Sequence, residues 1–76
     1  MENSTYRLKD MYLAAYIYSQ GVELKGIERL GKTCWFIYAD KGLCEKLASL
    51  YWSDQAEAKI KSFVEAIRSL KDIIFA

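Results

Sequence analysis

The chain contains no histidine. That removes the commonest general base and the commonest metal ligand, so no Ser-His-Asp or Cys-His arrangement can be assembled within it. It contains no proline and only four glycines, Gly21, Gly26, Gly31 and Gly42. A linker-rich or disordered chain is excluded by that composition. The glycines stand singly, so no glycine-rich phosphate loop is present. There is no excess of charge of one sign either. Eleven basic residues face ten acidic ones, for a net charge of +1. A module held to nucleic acid by phosphate contacts ordinarily carries a clear basic surplus. Signs also alternate locally, as in Lys25, Glu28 and Arg29, which describes a mixed, solvated surface.

Only two cysteines occur, Cys34 and Cys44. Their separation fits no zinc or redox motif. Both fall in the middle of expected elements, where small buried hydrophobes belong. A disulfide would be compatible with that placement, but two free buried thiols and a reducing compartment are the simpler reading. Met1-Glu2-Asn3-Ser4 lacks the basic segment of a signal peptide. The longest apolar run, Met11 to Tyr18, is eight residues, against about 20 for a membrane-spanning helix. The expectation is a cytoplasmic protein.

What is present in quantity is apolar and aromatic surface: 53% hydrophobic and 14% aromatic residues in a chain of 76. That length is one domain, residues 1–76, with 1–4 expected to fray. A domain of this size buries only about 60% of its unfolded surface, so large rings carry much of the burial. Thr5 to Leu8 alternates as a short edge strand. Asp10 is placed to cap a helix over Met11–Gln20, with Gly21 as the left-handed residue closing it. Every position from 11 to 18 is apolar or aromatic, so this helix is buried on several sides.

Val22 to Leu30 reads as a strand whose apolar parity changes at Gly26, which implies a bulge there. Gly31-Lys32 is a two-residue type II′ turn. The return strand is Thr33 to Ala39. Counting back from the turn sets Leu30 opposite Thr33, Ile27 opposite Phe36 and Gly26 opposite Ile37. Both faces of the return strand are apolar, so it is expected to be central, with structure on both sides or one face in an interface.

Asp40 is expected to cap a helix over Lys41–Trp52 with the core stripe Leu43, Leu47, Leu50 and Tyr51. Asp54 followed by Glu57 resembles a capping box opening a last helix from Gln55 to about Ile74. Its expected core face is Ile60, Phe63, Val64, Ile67, Leu70 and Ile74, with a Glu57–Lys61 pair on its surface. The order β-α-β-β-α-α predicts an α+β fold, a small two- or three-stranded antiparallel sheet packed by three helices.

Candidates for chemistry are few. Asp10, Asp40 and Asp54 each precede a helix and read as caps rather than catalytic acids. An active site assembled from Glu23, Glu28 or Glu65 has nothing in its spacing to support it. Trp35, with Lys25, Arg29 and Lys32 on the paired strand and turn, could stack single-stranded nucleic acid, or could simply cover a helix. Trp52 lies off its helix's stripe and either plugs the corner between the last two helices or marks an interface.

One pattern extends over nearly the whole chain: Tyr6, Lys9-Asp10, Tyr12-Leu13-Ala14-Ala15-Tyr16, Gly21, Ile27-Glu28, Trp35-Phe36-Ile37-Tyr38, Asp40, Leu47, Tyr51, Phe63, Ile67 and Leu70-Lys71. It resembles a family of small bacterial and phage-associated domains of unknown function. The resemblance implies a bacterial, archaeal or mobile-element source and a stand-alone module, and it carries no catalytic residue and no cofactor. The functional expectation is a non-enzymatic binding module, without cofactor or metal, that forms a homodimer. Its candidate surface is Tyr12, Tyr16, Tyr18, Trp35 and Trp52. The alternative is a nucleic-acid-binding accessory protein of a phage or other mobile element, using Lys25, Arg29, Lys32 and Trp35.

Overall fold

A computed structural model describes residues 4–75; of the segment expected to fray, residues 1–3 lie outside that range. The elements are β1 (Thr5–Leu8), α1 (Met11–Ser19), β2 (Leu24–Leu30), β3 (Thr33–Ala39), α2 (Lys41–Trp52) and α3 (Ile60–Ile74). The α+β order is as expected, and the sheet has three strands in the order β1-β3-β2, both pairs antiparallel. β3 is therefore the central strand.

The hairpin follows from its turn. Gly31 has φ +64°, which its missing Cβ allows, and the pairs Leu30–Thr33, Ile27–Phe36 and Gly26–Ile37 are those counted from it. Leu24 pairs with Tyr38 and Gly26 with Ile37, so Lys25 is the extra residue of a bulge. The bulge returns Leu24 and Ile27 to one face despite their opposite parity. β2 begins at Leu24 rather than Val22; ahead of it only a further bond continues the pairing, from the Ala39 N–H to the Glu23 carbonyl at 3.0 Å.

Phe36 and Tyr38 face the helices and are essentially inaccessible, at 1% and 0% exposure. Their β1 partners Leu8 and Tyr6 lie on the same face. The Tyr38 hydroxyl donates to the Ala14 carbonyl at 2.7 Å, which ties α1 to the central strand. Trp35 and Ile37 point to the other face and stay half-buried. Of the two expected arrangements of β3, structure on both sides is not formed among the described residues, because the helices lie on one side; that leaves the alternative of one face in an interface. Within α1, Leu13 to Ile17 are all buried, as an apolar circumference requires.

The caps explain where the helices start and stop. Asp10 Oδ1 accepts from the Tyr12 and Leu13 N–H groups at 2.9 and 3.0 Å, satisfying two orphan donors of α1. Asp40 caps α2 through the Leu43 N–H at 3.2 Å from a left-handed backbone at φ +61°, a conformation aspartate tolerates. Gly21 follows α1 at φ +88°, and a Cβ added there would meet no atom within 4 Å. The cost of a side chain at Gly21 is thus purely backbone. Gly21→Val is expected to destabilise by about 1 kcal/mol or more, and Gly21→Asn by clearly less, because asparagine enters the left-handed region readily. Urea-denaturation midpoints of the two variants check the difference.

The start of the last helix differs from expectation. Asp54 does not open α3 but closes α2. Its backbone is left-handed, φ +63°, its N–H bonds the Tyr51 carbonyl at 3.1 Å, and the Gln55 N–H bonds the Leu50 carbonyl at 2.8 Å. That is the paired-bond Schellman ending of a helix. Residues 55–59 then run without helix, and α3 starts at Ile60 with no side-chain cap. Glu57 precedes the helix, so the Glu57–Lys61 pair is not made.

The helix faces are also rotated from those expected. In α2 the buried residues are Cys44, Leu47 and Ala48, while Leu43 is exposed. In α3 they are Ala66, Leu70 and Ile74; Phe63 and Ile67 are half-buried, and Ile60 and Val64 are exposed. In both cases small residues, Cys44 and Ala48 in α2 and Ala66 in α3, share the buried face with the large Leu47, Leu70 and Ile74, and the large residues nearest each helix start, Leu43, Ile60 and Val64, are turned outward. Both cysteines are free, Cys44 buried and Cys34 only half-buried. The Cys44 thiol donates to the Ala39 carbonyl at 3.3 Å. Burial, with the Asp40 carboxylate beside it, pushes its pKa up, so it is a poor nucleophile.

Candidate interaction surface

Several large apolar side chains meet at one corner. α1 contributes Tyr12 and Tyr16, the end of α2 contributes Tyr51 and Trp52, and α3 contributes Ile60 and Phe63. Tyr16, Tyr51, Trp52, Ile60 and Phe63, with Ala56, Ala58 and Asp54 of the α2–α3 connection, line an open concavity of about 600 Å³. Its floor is built by stacking. The Tyr51 ring lies 6.3 Å from that of Tyr16 at an interplanar angle of 29°. Trp52 meets Tyr51 edge to face, with centroids 5.0 Å apart, a favoured aromatic geometry. Burial pushes the Tyr51 phenol pKa up, and the nearby Asp10 carboxylate and Tyr12 add to the shift. Tyr12 lies one turn before Tyr16 on α1, beside the concavity.

The floor is buried and the rim is not. Tyr16 is 5% exposed, whereas Tyr12 is 59%, Trp52 66% and Ile60 83% exposed. The Schellman ending of α2 produces this rim. By turning the chain at Asp54 it leaves Trp52 beyond the last packed turn, and it delays α3 until Ile60, which starts the helix clear of the core. Gln20 steadies the connection through an Nε2 hydrogen bond to the Glu57 carbonyl at 3.4 Å.

Of the five residues expected to form an interaction surface, Tyr16 and Trp52 line this concavity, and Tyr12 is one helical turn from Tyr16 without lining it. Tyr18 and Trp35 lie elsewhere. Tyr18 packs beside the core and lines a shallow depression with Ser62, Ala66 and Ser69 of α3. Trp35 lies on the far side of the sheet. Ile60 and Tyr51 belong to the corner although their apolar spacing marked them as core.

The cations expected around Trp35 are placed differently. Lys25 occupies the bulge, 3.8 Å from the Glu23 carboxylate. Arg29 opposes Cys34, not Trp35, so it projects from the opposite face. Lys32 sits in the hairpin turn. The cations on the indole come instead from β1 and its end: Arg7 Cζ is 5.1 Å and Lys9 Nζ 5.8 Å from the ring centroid. Arg7 also forms an ion pair across β3 with Glu28, whose strand position is directly opposite Trp35. This patch is thus partly neutralised. Pairing of Arg7 with Ile37 follows from the alternation of Tyr6 and Leu8, and that alternation was the available signal.

Among the described residues no group of three or more acidic or cysteine side chains is placed to hold a metal ion, and no helix is long and apolar enough to cross a membrane. The chain matches a family described as "Domain of unknown function (DUF5659)" over residues 3–76. No curated protein and no solved structure matches.

Proposed function

We propose that this chain, which belongs to the DUF5659 family of domains of unknown function, is a non-enzymatic interaction module that self-associates through the corner between α1, α2 and α3. The observation that carries the reading is the exposure of Ile60 and Trp52 on the wall of a concavity that also holds the stacked rings of Tyr16 and Tyr51, with the exposed Tyr12 one helical turn before Tyr16. Contiguous exposed apolar surface of this kind marks an interaction site, and tyrosine and tryptophan are the residue types that most often carry binding energy. In a domain with little core to spare, leaving these groups in water has a cost that a partner would offset.

Ile60→Asp is expected to abolish self-association and to leave folding stability within about 0.5 kcal/mol of the parent, since a surface position is changed. Solution mass by light scattering over a concentration series measures the first, and urea denaturation the second. A parent protein that stays monomeric throughout the series would overturn the proposal.

The second reading is a nucleic-acid-binding accessory protein. It is supported by Trp35 between Arg7 and Lys9, since an indole flanked by cations can stack a base. Single-stranded DNA binding that weakens steeply with salt and is lost in Trp35→Ala would favour it. The ion pair to Glu28 and the net charge of +1 weigh against it.

A further inference from the structure

α3 carries a second pattern beside its exposed rim. At about 100° per residue, Ile60 and Val64 lie within roughly 40° of each other around the helix, with Phe75 close to the same line at its C-terminal end and the exposed Lys71 on that line between Val64 and Phe75. The three apolar residues are exposed, at 83%, 41% and 78%. Directly alongside, roughly 80–140° from Ile60, runs a charged row: Lys61, Glu65, Arg68 and Asp72. All four are exposed. Among the described residues the ion pairs are Arg7–Glu28 and Lys25–Glu23, so none of the row is engaged within the chain. Two of its neighbouring pairs, Lys61–Glu65 and Arg68–Asp72, stand base before acid, the less favourable order on a helix, and Glu65–Arg68, although acid first, is not among the ion pairs formed.

Read along α3 the signs run plus, minus, plus, minus. A row of that form is complementary to itself when reversed. About a centre between Ala66 and Ile67, Lys61 and Asp72 are equally distant, and so are Glu65 and Arg68. From this the geometry points to one occupant of the exposed α3 face: a second copy of this chain, with the two α3 helices antiparallel across a two-fold axis. Lys61 of each copy then meets Asp72 of the other, and Glu65 meets Arg68. The Ile60 end of each stripe lies near the Phe75 end of the other, and Val64 lies near the axis. A two-fold contact must be self-complementary in this way, whereas a parallel arrangement would set like charges together. The charged row provides orientation and the apolar stripe most of the attraction. The stripe joins the corner surface at Ile60, so both belong to one contact. This inference rests on the self-association proposed above and specifies its geometry.

Two double variants test it. Lys61→Glu with Arg68→Glu makes the row wholly negative, and Glu65→Lys with Asp72→Lys makes it wholly positive. Each alone is expected to self-associate at least about tenfold more weakly than the parent, because like charges are brought together. An equimolar mixture is expected to recover a dimer of parental affinity, read by sedimentation equilibrium. Far-UV circular dichroism of each variant confirms that α3 is intact, and recovery on mixing excludes misfolding as the cause of the loss. If both variants dimerise as the parent does, or if the mixture stays monomeric, the antiparallel α3 contact is overturned while self-association through the corner stands. If the parent itself is monomeric, both fall.

Discussion

Replacing Phe36 by alanine is expected to cost about 3–5 kcal/mol, the range for deleting a fully buried ring. A 76-residue domain has about 4–11 kcal/mol of stability in total, so the substitution removes from about a quarter of it to the whole. The position explains the size of the effect. Phe36 is the middle residue of the central strand and is 1% exposed. Its cross-strand neighbours are Leu8 on one side and Ile27 on the other, and these bring both edge strands onto the ring. Collapse around the deletion would have to move all three strands at once, which a close-packed interior resists. Urea denaturation followed by tryptophan fluorescence and circular dichroism measures the loss. A midpoint within error of the parent would mean that Phe36 is not packed between sheet and helices. Trp35→Ala, one residue along and on the outer face, should cost much less, and the contrast between the two checks which way β3 faces.

The sheet was legible because its determinants are local. Gly31-Lys32 admits one tight turn, and the turn sets the register of every pair back to Ile27. The parity change between Leu24 and Ile27, with Gly26 between them, identifies the bulge. Gly21 and Asp10 delimit α1 by the same kind of local chemistry. α3 was less legible for a physical reason. Asp54 satisfies the sequence rule for a helix start and the rule for a left-handed helix end equally well. The choice is made by the Leu50 and Tyr51 carbonyls, which take the Gln55 and Asp54 N–H groups, and that acceptance depends on the whole of α2 being formed. The rotation of the α2 and α3 faces has another origin. Periodicity weights large apolar side chains, yet the buried faces also include the small Cys44, Ala48 and Ala66, which shift each face around its helix. Leu43, Ile60 and Val64 are displaced outward by that shift. The candidate surface was half legible as a consequence. Tyr12 and Trp52 stand out as aromatic residues at helix ends, but Ile60 counts as core on any helical wheel, and only the late start of α3 exposes it.

A small residue on a buried face also makes Ala15→Leu a severe change, expected to destabilise by about 1–3 kcal/mol through overpacking. Ala14 and Ala15 are both 0% exposed in the middle of α1, between Leu13 on one side and Tyr16 and Ile17 on the other, all buried. The backbone of α1 lies close enough to the sheet for the Tyr38 hydroxyl to reach the Ala14 carbonyl at 2.7 Å. α1 is also held by α3, against which it makes its most extensive helix contact. A leucine at 15 adds three carbon atoms at a position that has no exposed surface of its own. The helix must move away from the sheet or from α3. The first movement stretches the Tyr38–Ala14 bond, and the second opens the Tyr16–Tyr51 floor of the corner surface. Ala15→Gly supplies the control. It removes volume rather than adding it and lowers helix propensity by about 1 kcal/mol, so it separates helix weakening from steric displacement. Both are read from denaturation midpoints. The distinguishing measurement is self-association at a concentration where each variant is fully folded: Ala15→Leu should weaken it by distorting the floor beneath Trp52, and Ala15→Gly should leave it unchanged. A leucine variant as stable as the parent would show that α1 has room on one side. The five consecutive buried residues would then have to be read as loosely rather than closely packed.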